Sequence, residues 1–144
     1  MKKTFTVLFS LTMFLVGHGQ TNELEQDKHL PRDTVYIKLG QKLLFIANVN
    51  ESKTLLFSEV AVATDIEKTV SMELTYTEGV GSMLKIHNPF KEQIVYTAAL
   101  YAYTKKAFIE TSTIPIYPGI SAFETWPYKI DLIQLSGFKL VAGK

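Results

Sequence analysis

The chain has no cysteine, and that absence removes several chemistries at once. Disulfide staples, thiolate zinc sites and thiol nucleophiles are all excluded, so the fold has to be held by core burial alone. A lipid-anchored lipoprotein, which needs a cysteine after its leader, is excluded too. An excess of charge of one sign is also lacking: Lys and Arg number 15 against 14 Asp and Glu. The sequence therefore has neither the basic stripe that nucleic-acid binding requires nor a polybasic membrane-surface segment. Histidine is scarce, and His29 and His87 lie too far apart to give zinc-ligand spacing. Glu67, Glu73, Glu78, Glu92, Glu110, Glu124 and Asp131 are scattered singly. That leaves no clustered oxygen ligands for calcium and no sign of paired carboxylates for glycoside cleavage. Gly79 and Gly81 lack the lysine and the following helix of a phosphate-cradling loop. His87 could serve as a general base only beside a nucleophile motif, and no Gly-x-Ser-x-Gly elbow exists. A solvated side chain at a strand end is its plainer reading. No metal, cofactor or catalytic residue is expected, and the chain reads as a non-enzyme.

What is present begins with a leader. Lys2 and Lys3 precede an almost unbroken apolar run from Phe5 to Val16, and Gly17-His18-Gly19 offers small residues where a signal peptidase reads. Residues 1–19 therefore read as a secretory signal peptide, with cleavage after Gly19. The alternatives are an uncleaved anchor or a buried first strand, but the apolar run falls short of the roughly 20 residues that a bilayer span needs. Removing the leader takes away two lysines and no acids, so the remaining chain is nearly neutral and keeps no stable membrane span. A lysine-led leader without disulfides points to a bacterial envelope protein, periplasmic or extracellular. Residues 20–33 are polar, with Pro31 near their end and no apolar period, and read as a flexible lead-in.

From Thr34 to the end at Lys144 the pattern is period two, expected as one domain. Val35, Ile37 and Leu39 share a face. After a turn or bulge at Gly40-Gln41, Leu43 to Asn48 is apolar on both faces. Asn48 to Lys53 is a turn cluster, although Asn50-Glu51-Ser52 also matches a glycosylation sequon. Leu55 to Ala63 changes phase, suggesting a bulge near Ser58-Glu59, and Thr64 to Lys68 reads as a polar loop or one helical turn. Val70, Met72, Leu74 and Tyr76 alternate with polar residues, and Glu78-Gly79-Val80-Gly81 supplies a hairpin turn. Leu84 and Ile86 then face inward, until Pro89 ends that strand at Asn88. Beyond the turn Asn88-Pro89-Phe90-Lys91, the run Gln93 to Tyr103 is apolar on both faces, as an interior strand would be. The two runs flanking that turn read as a pair around which the other strands gather. Ala107 to Ile114 carries Glu110 and three hydroxyls and is placed near an edge. Lys129 to Leu135 and Phe138 to Val141 form a last strand with a bulge at Gly137.

Seven to nine short strands without a convincing helix predict an all-β fold, an antiparallel β-sandwich of immunoglobulin-like outline. The Ser82 to Tyr103 stretch, a strand ending in Asn-Pro, a polar turn and a long aliphatic strand, resembles bacterial immunoglobulin-like envelope domains. It carries over no activity. Pro115, Pro118 and Pro127, three of the five prolines, crowd the Ile114 to Tyr128 stretch, which is expected to be irregular. There Tyr117, Phe123, Trp126 and Tyr128 could form an aromatic surface that grips a glycan or a partner protein. The competing reading has Trp126 plugging the core beneath a crossover loop. Phe90 at its turn tip either joins a contact surface or tucks under the sheet. The leading expectation is a binding or accessory module using a sheet edge or this aromatic loop. A carbohydrate-binding module through Tyr117, Trp126 and Tyr128 is the first alternative. The second is a small inhibitor or enzyme-associated domain presenting Asn88 to Glu92.

Overall fold

A computed structural model describes residues 30–143. The expected signal peptide, and residues 20–29 of the lead-in with His29, lie outside the described residues. Within them the period-two runs become nine strands: β1 (Val35–Lys38), β2 (Lys42–Val49), β3 (Leu55–Val60), β4 (Thr69–Thr77), β5 (Gly81–His87), β6 (Gln93–Ala102), β7 (Ala107–Thr111), β8 (Ser121–Trp126) and β9 (Leu132–Val141). They form two fully antiparallel sheets, ordered β1-β9-β6-β7 and β3-β2-β4-β5-β8. The architecture is an all-β sandwich, with no helix among the described residues.

The inward faces are those the alternation marks, except that Tyr76, in phase with Val70, Met72 and Leu74, is exposed where β4 runs out toward its turn. Val35 and Ile37 of β1, Val70, Met72 and Leu74 of β4, Leu84 and Ile86 of β5 and Ile94 and Ala98 of β6 are all fully or almost fully buried. Four rings cross from one sheet to the other. Phe45 of β2 meets Phe57 of β3 edge-on at 5.5 Å between centroids. Phe57 meets Phe138 of β9 at 4.8 Å, and Phe138 stacks on Tyr96 of β6 at 5.4 Å. Such pairs add to the hydrophobic burial that must hold a cysteine-free domain.

Three places differ from the expectation drawn from the sequence. First, β5 and β6 do not pair but lie in opposite sheets. The turn between them is a corner, because Asn88 is pulled inward rather than capping a hairpin. Its side chain is 0% exposed, and its Nδ2 donates to the carbonyls of Glu92 at 2.8 Å and Ile116 at 2.9 Å. Its Oδ1 accepts from the Phe90 amide at 2.8 Å. Gly40, at φ +82, sits at the corresponding corner between β1 and β2. Second, Ser121–Trp126 is a regular strand inside the stretch expected to be irregular. The three prolines flank β8 without entering it, so its ladder to β5 is unbroken from Ser82–Trp126 to His87–Ser121. Third, the β2–β3 register runs without a bulge through Ser58 and Glu59, and β3 ends at Val60. Where a bulge was expected at Gly137, the β6–β9 ladder does shift register, and Gly137 takes φ +64 there.

The remaining boundaries move by a few residues. Thr64 to Lys68 is a non-helical loop, and β9 starts at Leu132 rather than Lys129. Arg32, inside the expected lead-in, exchanges backbone hydrogen bonds with Phe57 on the β3 edge at 2.9 and 2.8 Å. Its guanidinium pairs with Glu59 at 2.8 Å. The turns Asn50–Lys53, Thr77–Val80 and Ala102–Lys106 connect hairpins as read, with Lys53 and Lys106 in the left-handed region.

The Asn88 amide yields the first prediction. Asn88→Ala removes the donor to the Glu92 carbonyl and the acceptor of the Phe90 amide, and leaves the Ile116 carbonyl with the Ile94 amide alone; a polar group left unpaired in such a setting costs about 1–3 kcal/mol. A urea unfolding curve should show a loss of roughly 3 kcal/mol with an unchanged slope. A midpoint equal to the parent's would mean that the corner does not depend on this amide.

Candidate functional site

At one corner of the sandwich the apolar lining of the core runs out into solvent. On β6 the inward set continues past Ala98 to Leu100 and Ala102, and on β7 it continues to Ile109, opposite Leu100 in register. Yet Ile109 is 42% exposed, because β7 is an edge strand that the other sheet does not cover. The result is a cleft of about 540 Å3. Leu100, Ala102 and Ile109 supply apolar lining, the segment Tyr128 to Ile130 lines it as well, and Tyr101 and Tyr103 border it.

The 128–130 wall is fixed by β5. The Ser82 amide donates to the Tyr128 carbonyl at 3.2 Å, and the Ser82 hydroxyl, itself buried, accepts from the Ile130 amide at 2.8 Å. Gly81 makes this close approach possible. At φ +116 it lies so near the end of β8 that a Cβ would overlap the Trp126 carbonyl oxygen and reach 2.9 Å from Pro127 Cα. Only glycine suits that backbone angle and that space.

On the outward face of the same sheet a row of rings leads to the cleft. Tyr36 and Phe108 approach to 5.9 Å, Phe108 and Tyr101 to 5.2 Å, and Tyr101 and Tyr103 to 4.9 Å. Ala99 faces outward between these rows and is still only 8% exposed. A small residue there lets long rings lie flat across the sheet.

The five aromatic residues singled out in the sequence are dispersed. Tyr128 borders the cleft and is exposed. Trp126 does not belong to a loop: it ends β8, opposite Ser82, and is 8% exposed within the core. It plugs the interior and cannot share a flat platform with Tyr117 and Tyr128. Tyr117 is exposed in the loop before β8, where its carbonyl lies 3.3 Å from Asn88 Nδ2. Phe123 is exposed on the outward face of β8, with the Lys85 ammonium 5.8 Å from its ring centre. Phe90 is half-buried and packs on the core. The sequence reading missed Tyr101, Tyr103 and Ile109. The signal for Ile109 was an aliphatic residue in phase with the interior, in a short edge strand of mixed character.

Two polar clusters lie outside the cleft. His87 Nδ1 lies 3.4 Å from Ser121 Oγ at the far end of the β5–β8 pair, and neither residue lines the cleft. Glu124 points inward from the edge strand β8, where its Oε1 accepts from the Tyr96 hydroxyl at 3.1 Å and the Ile114 amide at 2.8 Å. Burial, then the Glu124 charge and the hydrogen bond to it, push the Tyr96 phenol far above its ordinary value of 10.0. Among the described residues no three histidine, aspartate or glutamate side chains cluster as a metal site requires. The chain matches no protein-family model, no curated protein and no solved structure.

Two expected outcomes follow from this geometry. Gly81→Ala should cost more than about 2 kcal/mol in thermal or urea unfolding, through forced backbone displacement at Trp126 and Pro127. A loss below half that figure would show that the 127–130 segment yields freely. Tyr96 sets an alkaline limit. Because its folded value is raised, its contribution is complete below about pH 10 and fades as pH climbs toward the folded value, at about 1.4 kcal/mol per pH unit. Unfolding curves above pH 10 should therefore fall less steeply for Tyr96→Phe than for the parent. Parallel curves would contradict the assignment.

Proposed function

We propose that the chain is an exported, non-enzymatic binding or accessory module of the bacterial envelope, and that its contact surface is the tyrosine-bordered cleft beside β7. The basic, apolar and small-residue leader read in residues 1–19 supports export, to the periplasm or beyond the cell. The immunoglobulin-like outline belongs to the same reading. Its support is that β5 and β8 pair in one sheet while their successors β6 and β9 pair in the other, an interlocked arrangement in the style of Greek-key sandwiches.

One observation carries the functional reading. Apolar interior lining is left open at one corner, framed by Tyr101, Tyr103 and Tyr128 and held in shape by the Gly81–Ser82 contacts. Tyrosine offers a large contact area for little side-chain entropy, and a concave, pre-formed apolar surface with polar rims is what ligand sites have in common. Because Trp126 is buried, the carbohydrate alternative loses the central ring of its Tyr117, Trp126 and Tyr128 platform. The Asn88 to Glu92 turn, the presenting element of the inhibitor alternative, is tied down by the Asn88 amide and packs Phe90 inward.

A screen of small aliphatic and aromatic fragments against the isotope-labelled protein tests this reading by NMR. Binding fragments should shift the amides of Tyr101 to Thr104, Ile109 to Thr111 and Tyr128 to Ile130 together, and Ile109→Asp should abolish those shifts. Fragments that converge on Tyr117 or Phe123, or that spread over the whole surface, would refute it.

A further inference from the structure

We infer that the partner is an extended polypeptide segment that adds as an antiparallel strand to the free edge of β7, placing an aliphatic side chain in the cleft and its acidic C-terminal end against Lys105 and Lys106. This rests on the cleft being the contact surface and names what fills it.

The first support comes from comparing the four sheet edges. β1 is only four residues long. The β3 edge is occupied by the Arg32–Phe57 bridge and flanked by the Thr54–Lys139 bridge. On β8, Glu124 points inward and its carboxylate already takes the Ile114 amide; an inward-pointing charge is a device that discourages edge pairing. β7 is one residue longer than β1, at five, and has neither a bridge on its outer side nor an inward charge, its Glu110 being turned outward. Among the described residues it pairs with β6 alone, carries neither lysine nor proline within Ala107–Thr111, and is exposed or half-buried throughout.

The second support is the position of the cleft. Strand addition gains affinity from main-chain hydrogen bonds and specificity from pockets that accept alternate side chains. Here the pocket lies directly under the free edge, lined by Ile109 of β7 itself and walled by Tyr128 and Ile130. A strand laid along β7 would direct every second side chain toward that space. Its intervening side chains would continue the outward row of Phe108 and Glu110.

Charge fixes the direction. Lys105 and Lys106 sit in the turn just before β7, whereas Glu110 lies near its other end and Lys129 at the cleft already faces Asp131 at 3.6 Å. An antiparallel newcomer brings its C-terminal end to the start of β7, so acidic residues or a chain terminus there would meet two ammonium groups. Antiparallel pairing also matches every ladder among the described residues and is the slightly stronger arrangement. A neutral glycan has no regular row of amides and carbonyls to match the free edge of β7 and no acid for the two lysines.

The test is selection of short linear peptides from a random phage-displayed library on the purified protein, followed by anisotropy titrations of fluorescein-labelled synthetic copies. Selected peptides should carry an aliphatic residue in the cleft phase and acids near the C-terminus. N-methylating the backbone at alternate residues in one phase should weaken binding about tenfold or more, while methylation in the other phase should change it little. The double variant Lys105→Glu/Lys106→Glu should weaken binding several-fold. Peptides that compete with cleft-bound fragments yet tolerate methylation in either phase would overturn strand addition and leave the cleft reading intact. Failure to select any peptide while fragments still bind the cleft would do the same, as would an oligosaccharide that displaces them. A concentration-dependent dimer in sedimentation, lost in Ile109→Lys, would replace the peptide partner with a second copy of this chain. Peptides and fragments that both bind elsewhere would sink the two readings together.

Discussion

One buried carboxamide ties together two of the four places where the described chain crosses between its sheets. Asn88 sits at the exit of β5, wholly enclosed, and its side chain satisfies carbonyls from Glu92 and Ile116 and the amide of Phe90. Its own amide donates to Ile120, in the segment that leads into β8. Two passages are thereby locked at one point: the corner from β5 into β6, and the return from β7 into β8. Ile116 adds an isolated bridge to Ile94 beside it. An apolar substitute could fill the space but could not replace these bonds, and uncompensated carbonyls inside a sandwich are expensive.

Around that corner the sandwich is held without covalent help. The ring series Phe45, Phe57, Phe138 and Tyr96 passes from the five-stranded to the four-stranded sheet and ends in a hydroxyl that returns to Glu124 on β8. The same Glu124 that anchors the series occupies the inner side of an edge strand. Packing and edge protection therefore share one residue there. At β7 they separate: packing stops at Leu100, the edge is bare, and a cleft opens in the gap.

Much of this was legible from residue order. Alternation in Val70 to Leu74 and in Leu84 to Ile86, together with the two-sided apolar run of β6, marked the inward faces correctly, because period two is a direct image of the pleat. Gly79 and Gly137 marked a turn and a bulge for the same kind of reason: few residues other than glycine accept those backbone angles. The hidden features were nonlocal. Nothing near Asn88 says that its amide will be swallowed by a strand-to-strand crossing rather than displayed on a hairpin. Three prolines around Ser121–Trp126 concealed a six-residue alternation between them. The cleft was the least visible of all, since it depends on where one sheet stops covering the other. Ile109 and Tyr103 acquire their meaning only from that offset. Tyr128 was picked out for its ring and a presumed loop surface, and it is the one residue of the aromatic group that borders the cleft.

The four sheet edges are unequal: the β3 edge is bridged, β8 carries an inward charge, β1 has four residues, and the five-residue β7 is left able to accept another strand. Residue-by-residue amide hydrogen exchange of the free protein under native conditions tests this directly. β6 and the β6-paired part of β9 should exchange only with global unfolding, while the β7 amides that point away from β6 should exchange orders of magnitude faster than their neighbours. Uniform protection along β7, equal to that of β6, would contradict the account, because it would mean that this edge is already occupied in the free molecule.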